Sequence, residues 1–195
     1  MYVYIVRHGR TEWNRRRMVQ GTSDIPLNDE GRAQAEAAGK AFDGVEFDAL
    51  ITSPLKRAKE TGQLLIKNAH AKEVKTDERL IEKHFGICEG MVSEKRHRLY
   101  PHGGAPGEES YDHVGARMKA ALDDITSTYT GNVLVVGHAA AITQLLRVLD
   151  KSREYSTPDM KNTALNIIDG DERLVAYNLT GDEACEFVRR LQEEK

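Results

Sequence analysis

Four short stretches of this 195-residue chain place reactive side chains at the ends of strand-like or apolar runs. "YVYIVRH" ends on Arg7 and His8 and passes into Gly9 and Arg10; "ITSPLKR" brings in Arg57; "RLIE" ends on Glu82; "NVLVVGH" ends on His138. Planar guanidinium forks bind the oxygens of a phosphate group in one orientation and keep their charge at any working pH. A neutral imidazole among them is a nucleophile, and a carboxylic acid can protonate a departing oxygen. Phosphoryl transfer asks mainly for positioning and for compensation of charge spreading over the equatorial oxygens. A nucleophile, an acid and a cationic cradle suffice for it.

These groups act together only if the fold converges them. Ligands of open α/β sheets bind beyond the carboxyl ends of the strands, so the strands matter first. Residues 2–7 are β-branched and aromatic, as in a central strand; "DALITS" at 48–53, the more polar "EVKTDERL" and "NVLVVGH" read as further strands. "ALNIID" and "RLVAYN" read as two more, joined by the turn "GDE". Helices are predicted between them. Asn28 is a fitting N-cap for the Ala-rich segment after it, and Pro54 suits the first turn of "PLKRAKETGQLLIKNA". Val114, Met118, Ala121, Leu122 and Ile125 recur at helical spacing from about Tyr111 to Tyr129. "AAAITQLLRVLD" and the segment from about Asp182 complete the set. The alternation predicts a single α/β domain over residues 1–195, a three-layer α/β/α sandwich around a central, mostly parallel sheet. A short loop or cap segment falls at about 90–110, where periodicity is weak.

Composition narrows the class of partner. With 39% hydrophobic and 30% charged residues and a net charge of −3, the chain reads as a soluble protein without the basic field that nucleic acid requires. No apolar run approaches the roughly 20 residues of a membrane-spanning helix, and no secretory pattern precedes the first strand, so the cytoplasm is the expected compartment. Cys88 and Cys185 are the two cysteines, which excludes a disulfide framework of several bridges and favours reduced thiols. His70, His84, His97, His102 and His113 lack metal-ligand spacing and read as surface residues. The charge run "EKRHR" at 94–98 reads as a solvated face.

Five motifs occur in an order that resembles the histidine phosphatase superfamily, in its phosphoglycerate-mutase-like branch. They are "VRHGRTEWN", "VQGTSDIPLNDEGRAQA", "TSPLKRAKETG", "DERLIEKHFGICEG" and "VLVVGHAAAI", and the resemblance covers essentially the whole chain. It implies that His8 attacks phosphorus to form a phosphohistidine, which water then hydrolyses. Arg7, Arg57 and His138 are expected to line the phosphate cradle, with His138 more useful as a cation. Asn14, Gln20 and Gly21 fall at positions that contact phosphate or nearby substrate oxygens. Glu82 matches the acid that protonates the leaving alkoxide; should it point away, Glu78, Glu89 or Glu108 stands close in sequence. No metal is implied, because the arginines and His138 supply the charge that Mg²⁺ provides elsewhere.

Three positions depart from the family pattern. Arg10 stands where an acid or amide is common, which adds a cation near the mouth and predicts a preference for multiply charged substrates. Ala139 replaces a glycine and Cys88 a tryptophan. The leading expectation is a phosphomonoester hydrolase acting on a small phosphorylated metabolite, with no cofactor. The rival within the family is a phosphoglycerate mutase that depends on 2,3-bisphosphoglycerate. Mutases resemble one another in a longer insertion after the Glu-Gly pair, whereas here the next helix follows Gly90 after about twenty residues, the length of a loop. A third reading, a non-catalytic phospholigand-binding module, has no need for His8, Glu82 and His138 together. Oligomeric state is not legible in the sequence.

Overall fold

Six strands build one sheet in this computed structural model, which describes residues 1–194: β1 (Tyr2–Arg7), β2 (Glu46–Thr52), β3 (His70–Thr76), β4 (Val133–Gly137), β5 (Leu165–Asp169) and β6 (Leu174–Leu179). Their order is β3-β2-β4-β1-β5-β6. The β2–β3, β2–β4 and β1–β4 pairs are parallel, whereas β5 runs antiparallel to both β1 and β6. The sheet is thus mixed and mostly parallel, as expected.

Seven helices flank it: α1 (Glu12–Arg15), α2 (Asp29–Gly39), α3 (Lys56–Leu65), α4 (Ser93–Leu99), α5 (Tyr111–Thr128), α6 (Ala139–Leu149) and α7 (Gly181–Glu193). The period of two along a strand sorts side chains between the layers. Val3 and Ile5 of β1, with Val133 and Val135 of β4, face the core shared with α5 and α6. Tyr4, Val6, Leu134 and Val136 face the opposite core, which holds Phe42, Phe47, Ala58 and Leu65 and is closed by Val188 and Leu191 of α7. At roughly 1.5–3 kcal/mol for each fully buried large aliphatic side chain, the two central strands are among the most firmly anchored parts of the molecule. The groups that follow them inherit that rigidity.

Local chemistry sets the remaining boundaries. The Asn28 side chain accepts from the Gly31 amide at 2.8 Å and starts α2 as predicted. Where α2 meets the exit loop of β1, a Cβ on Gly9 would stand 2.4 Å from the Gly31 carbonyl oxygen, and one on Gly31 2.0 Å from that of Arg10. Two glycines let the backbones touch. Pro54 differs from expectation: α3 begins at Lys56 with Leu55 as its extended cap, so Pro54 precedes the helix. β3 starts earlier than its apolar residues indicate and ends at Thr76, because pairing to β2 rather than burial defines this exposed edge strand. Residues Gly86–Cys88 form a short 3-10 turn ahead of α4 in the loop segment. No helix among the described residues is long and apolar enough to cross a membrane.

Candidate active site

The exits of β1, β2 and β4 lie side by side. Register pairs Arg7 with Gly137 and Thr52 with Val136, and the ladder runs one step further: the His8 amide donates to the Gly137 carbonyl at 3.0 Å and the Ser53 amide to that of Val136 at 2.9 Å. His8, Ser53 and His138 therefore leave the sheet together. The rings of His8 and His138 have centroids 5.1 Å apart.

His8 is 2% exposed. Its Nδ1 lies 2.6 Å from the Gly9 carbonyl oxygen, which can only accept, so the proton sits on Nδ1 and Nε2 keeps its lone pair. Burial, then the Arg57 and Arg7 cations, hold its pKa well below the usual histidine range. The ring is neutral and oriented, the state in which an imidazole attacks phosphorus.

Backbone carbonyls rather than carboxylates hold the two arginines. Arg7 donates to the carbonyl of Met160; Arg57, fully buried, donates to Ser23 at 2.8 Å and to Gly21 at 2.7 Å. Desolvation lowers the pKa of each to about 10, still above physiological pH. The loop that receives Arg57 is shaped by Glu89. Its carboxylate accepts from the backbone amides of Thr22, Ser23 and Phe85 and from the Thr22 and Ser23 hydroxyls. These bonds outweigh its desolvation and lower its pKa. Gly21 turns there at φ +54, where a Cβ would stand 2.1 Å from a Glu89 oxygen.

Glu82 is 8% exposed, and its carboxylate sits on the N-terminus of α6. It accepts from Ala141 at 3.0 Å, Ala140 at 3.2 Å and its neighbour Lys83 at 2.8 Å. The other acids considered are engaged elsewhere or exposed. Glu89 holds the loop, Glu108 pairs with buried Lys83 at 2.6 Å and Arg96 at 2.8 Å, and Glu78 is exposed in a 3-10 turn. The pairing of Arg96 also means that the 94–98 charge run is not wholly solvated.

Some residues differ from expectation. His138 is fully buried with its pKa well below the ordinary value, through desolvation and then the charge of Arg57, so it is neutral rather than cationic in this structure. Arg10 is not directed into the group: its guanidinium pairs with Glu30 at 2.6 Å and its amide donates to Gln34. Its charge still acts on Arg7. Asn14 closes a capping box with Thr11 at the start of α1, Gln20 receives the Thr11 hydroxyl at 2.8 Å, and Gly21 takes part through its carbonyl. The other five histidines are exposed. Two residues passed over in the sequence belong to the site's framework. Thr61 accepts from the Gly9 amide at 3.0 Å and donates to the Arg57 carbonyl at 2.6 Å, and Ser53 lies 2.8 Å from Nε2 of His138. Their place in "TSPLKRAKETG" was the one available signal. Among the described residues, no three His, Cys, Asp or Glu side chains gather as metal ligands.

The family model described as "Histidine phosphatase superfamily (branch 1)" matches residues 3–183. This chain belongs to that family. It is 35% identical to the uncharacterized phosphatase PhoE of Bacillus subtilis over 182 residues, covering 91% of this chain and 94% of that protein. It is 34% identical over 154 residues to a protein of Photorhabdus laumondii named as a probable phosphoglycerate mutase, GpmB, covering 73% of this chain and 71% of the relative. The solved structure of YhfR from Bacillus stearothermophilus superposes with a TM-score of 0.79 at 27% identity, covering 94% of this chain and 98% of the other. With its fold and family relatives, this histidine phosphatase is a phosphoric monoester hydrolase by class.

Proposed function

We propose that the protein hydrolyses small phosphorylated metabolites through a covalent phosphohistidine on His8. The observation that carries this reading is His8 itself: a buried, neutral imidazole whose Nδ1 is tied to Gly9, at a strand exit beside two carbonyl-held guanidinium groups. In the first step, Nε2 of His8 bonds to phosphorus while the bond from phosphorus to the ester oxygen breaks. Glu82 gives a proton to the departing alkoxide. In the second step, Glu82 takes a proton from water as its oxygen bonds to phosphorus, and the bond to Nε2 breaks. Inorganic phosphate leaves with the enzyme unchanged. Arg7, Arg57 and His138 hold the equatorial oxygens throughout. The guanidinium groups supply the positive charge, so no metal or organic cofactor enters the scheme. The cytoplasm is the compartment proposed for it, where the free thiols of Cys88 and Cys185 stay reduced.

Hydrolysis of p-nitrophenyl phosphate by the wild type and by His8→Ala tests the scheme, with EDTA in a parallel series. The expected result is EDTA-resistant phosphate release that falls at least 10³-fold in the folded variant, together with an acid-labile, base-stable phosphoprotein after rapid quench. Release undiminished in His8→Ala overturns it. The mutase-named relative supports a second reading, in which a glycerate hydroxyl replaces water. Interconversion of phosphoglycerates at a rate above hydrolysis, dependent on added 2,3-bisphosphoglycerate, would favour that reading.

A further inference from the structure

The hydrogen-bond count around His138 leaves one nitrogen to be explained. Nε2 lies 2.8 Å from the Ser53 hydroxyl oxygen, and both residues are fully buried. Nδ1 is also buried and has no partner among the described residues. The Leu55 amide, which can only donate, points at the same Ser53 oxygen at 3.4 Å. Two assignments of protons are open to this cluster. If the ring donated through Nε2–H, the Ser53 oxygen would accept twice, its own O–H would find no acceptor among the described residues, and Nδ1 would remain unpaired as well. If Ser53 donates instead, its oxygen accepts from Leu55, its proton satisfies Nε2, and the one group left over is an Nδ1–H donor. Buried polar groups are paired as a rule, which favours the second assignment.

We propose that Ser53 is a positioning residue that holds His138 as the Nδ1–H tautomer, so that a neutral ring presents an N–H donor to the phosphoryl oxygens. Its second half rests on the phosphatase reading above; the tautomer itself does not. Both histidines then bear their proton on Nδ1, yet they turn opposite nitrogens to the reaction. His8 uses Nδ1–H for Gly9 and offers its bare Nε2, whereas His138 binds Ser53 through its bare Nε2 and offers Nδ1–H. The surroundings agree with a neutral ring. Arg57, Arg7, His8 and Arg117 act on it electrostatically, and the Glu82 carboxylate is bonded to the amides of the helix that His138 caps. A charge-neutral donor adds to the cradle without a third full cation to desolvate.

Two measurements test this. Long-range proton–nitrogen correlation spectra of protein labelled with ¹⁵N-histidine, assigned by comparison with His138→Ala, report the tautomer directly, without and with inorganic phosphate. A protonated Nδ1 and bare Nε2 are expected, and a proton on Nε2 overturns the proposal whatever the activity. Kinetics on p-nitrophenyl phosphate then ask whether Ser53 acts through His138. Ser53→Ala is expected to lower kcat/KM on the order of tenfold, less than the roughly 10²–10³-fold cost of removing a donor to developing charge. In a His138→Ala background the same change is expected to cost less than twofold. An equal loss in both backgrounds makes Ser53 merely structural and overturns the positioning role. Should Ser53→Ala fail to fold, the wild-type spectrum still decides. Failure of the phosphatase reading shows itself separately, as turnover that survives His8→Ala.

Discussion

Replacing Glu89 by glutamine tests how the arginine cradle is built. The carboxylate accepts five hydrogen bonds: its Oε1 serves the Thr22 amide, the Thr22 hydroxyl and the Phe85 amide, and its Oε2 serves the Ser23 amide and hydroxyl. A glutamine oxygen can replace one of these two atoms, after which the new NH₂ group faces the Ser23 amide. One stranded backbone N–H costs about 1–3 kcal/mol, and the other bonds lose their charge assistance, giving about 2–4 kcal/mol in total. For a chain of this size that lowers the melting temperature on the order of 10 °C. The effect on catalysis follows from the same loop. Its Gly21 and Ser23 carbonyls hold Arg57, and a misplacement of about 1 Å in such a group can cost 10²-fold, so a fall of tenfold or more in kcat/KM is expected. Thermal melts and p-nitrophenyl phosphate kinetics measure both. The stability gap between the two proteins also has a defined pH dependence. The native Glu89 pKa is lowered, so its contribution is complete above the usual glutamate range and disappears as pH falls through the lowered native value. A melting temperature within about 1 °C of wild type with kcat/KM unchanged would refute the reasoning, as would a gap that stays constant down to low pH.

Three further outcomes are expected. Gly31→Ala, which elsewhere in a helix gains about 0.5–1 kcal/mol, should here destabilise, because its Cβ would meet the Arg10 carbonyl at 2.0 Å; a raised melting temperature contradicts this. Lys83→Met removes a buried cation and leaves Glu108 with Arg96 and the Ala105 amide, for a loss at or below the roughly 3–5 kcal/mol of a broken buried pair, read from urea unfolding; no loss would show the pair to be dispensable. His8 and His138 both have native pKa values well below 6.5, so the unfolded chain binds their protons first as pH falls. Stability should decline on acidification below the ordinary histidine range, more in wild type than in His138→Asn, and parallel pH curves would oppose it.

The parts of the fold legible in the sequence are those where one local pattern decides the outcome. β1 and β4 are uninterrupted buried runs, and Asn28 carries its cap signal with it, so the exits that hold His8 and His138 could be placed in advance. Edge strand β3 could not, since its residues are mostly exposed and its pairing partner is distant in sequence. Partner choice was equally hidden. Arg7 finds its carbonyl at Met160, 153 residues away, and Arg10 turns to Glu30 because that carboxylate lies within reach on α2. Glu89 illustrates the limit best: sequence spacing made it a candidate acid, while its hydrogen bonds make it the support of a loop.

Holding Arg7 and Arg57 by carbonyl dipoles has a consequence for turnover. A carboxylate hydrogen-bonded to either guanidinium would have competed with the substrate for it, whereas a carbonyl orients the fork and leaves it charged, with Glu82 acting on both without a hydrogen bond. Under the proposed mechanism, that charge is open to any phosphate-bearing ligand, including the inorganic phosphate made in the last step. Product and substrate share that attraction, so the same device that captures the ester slows the departure of what remains of it.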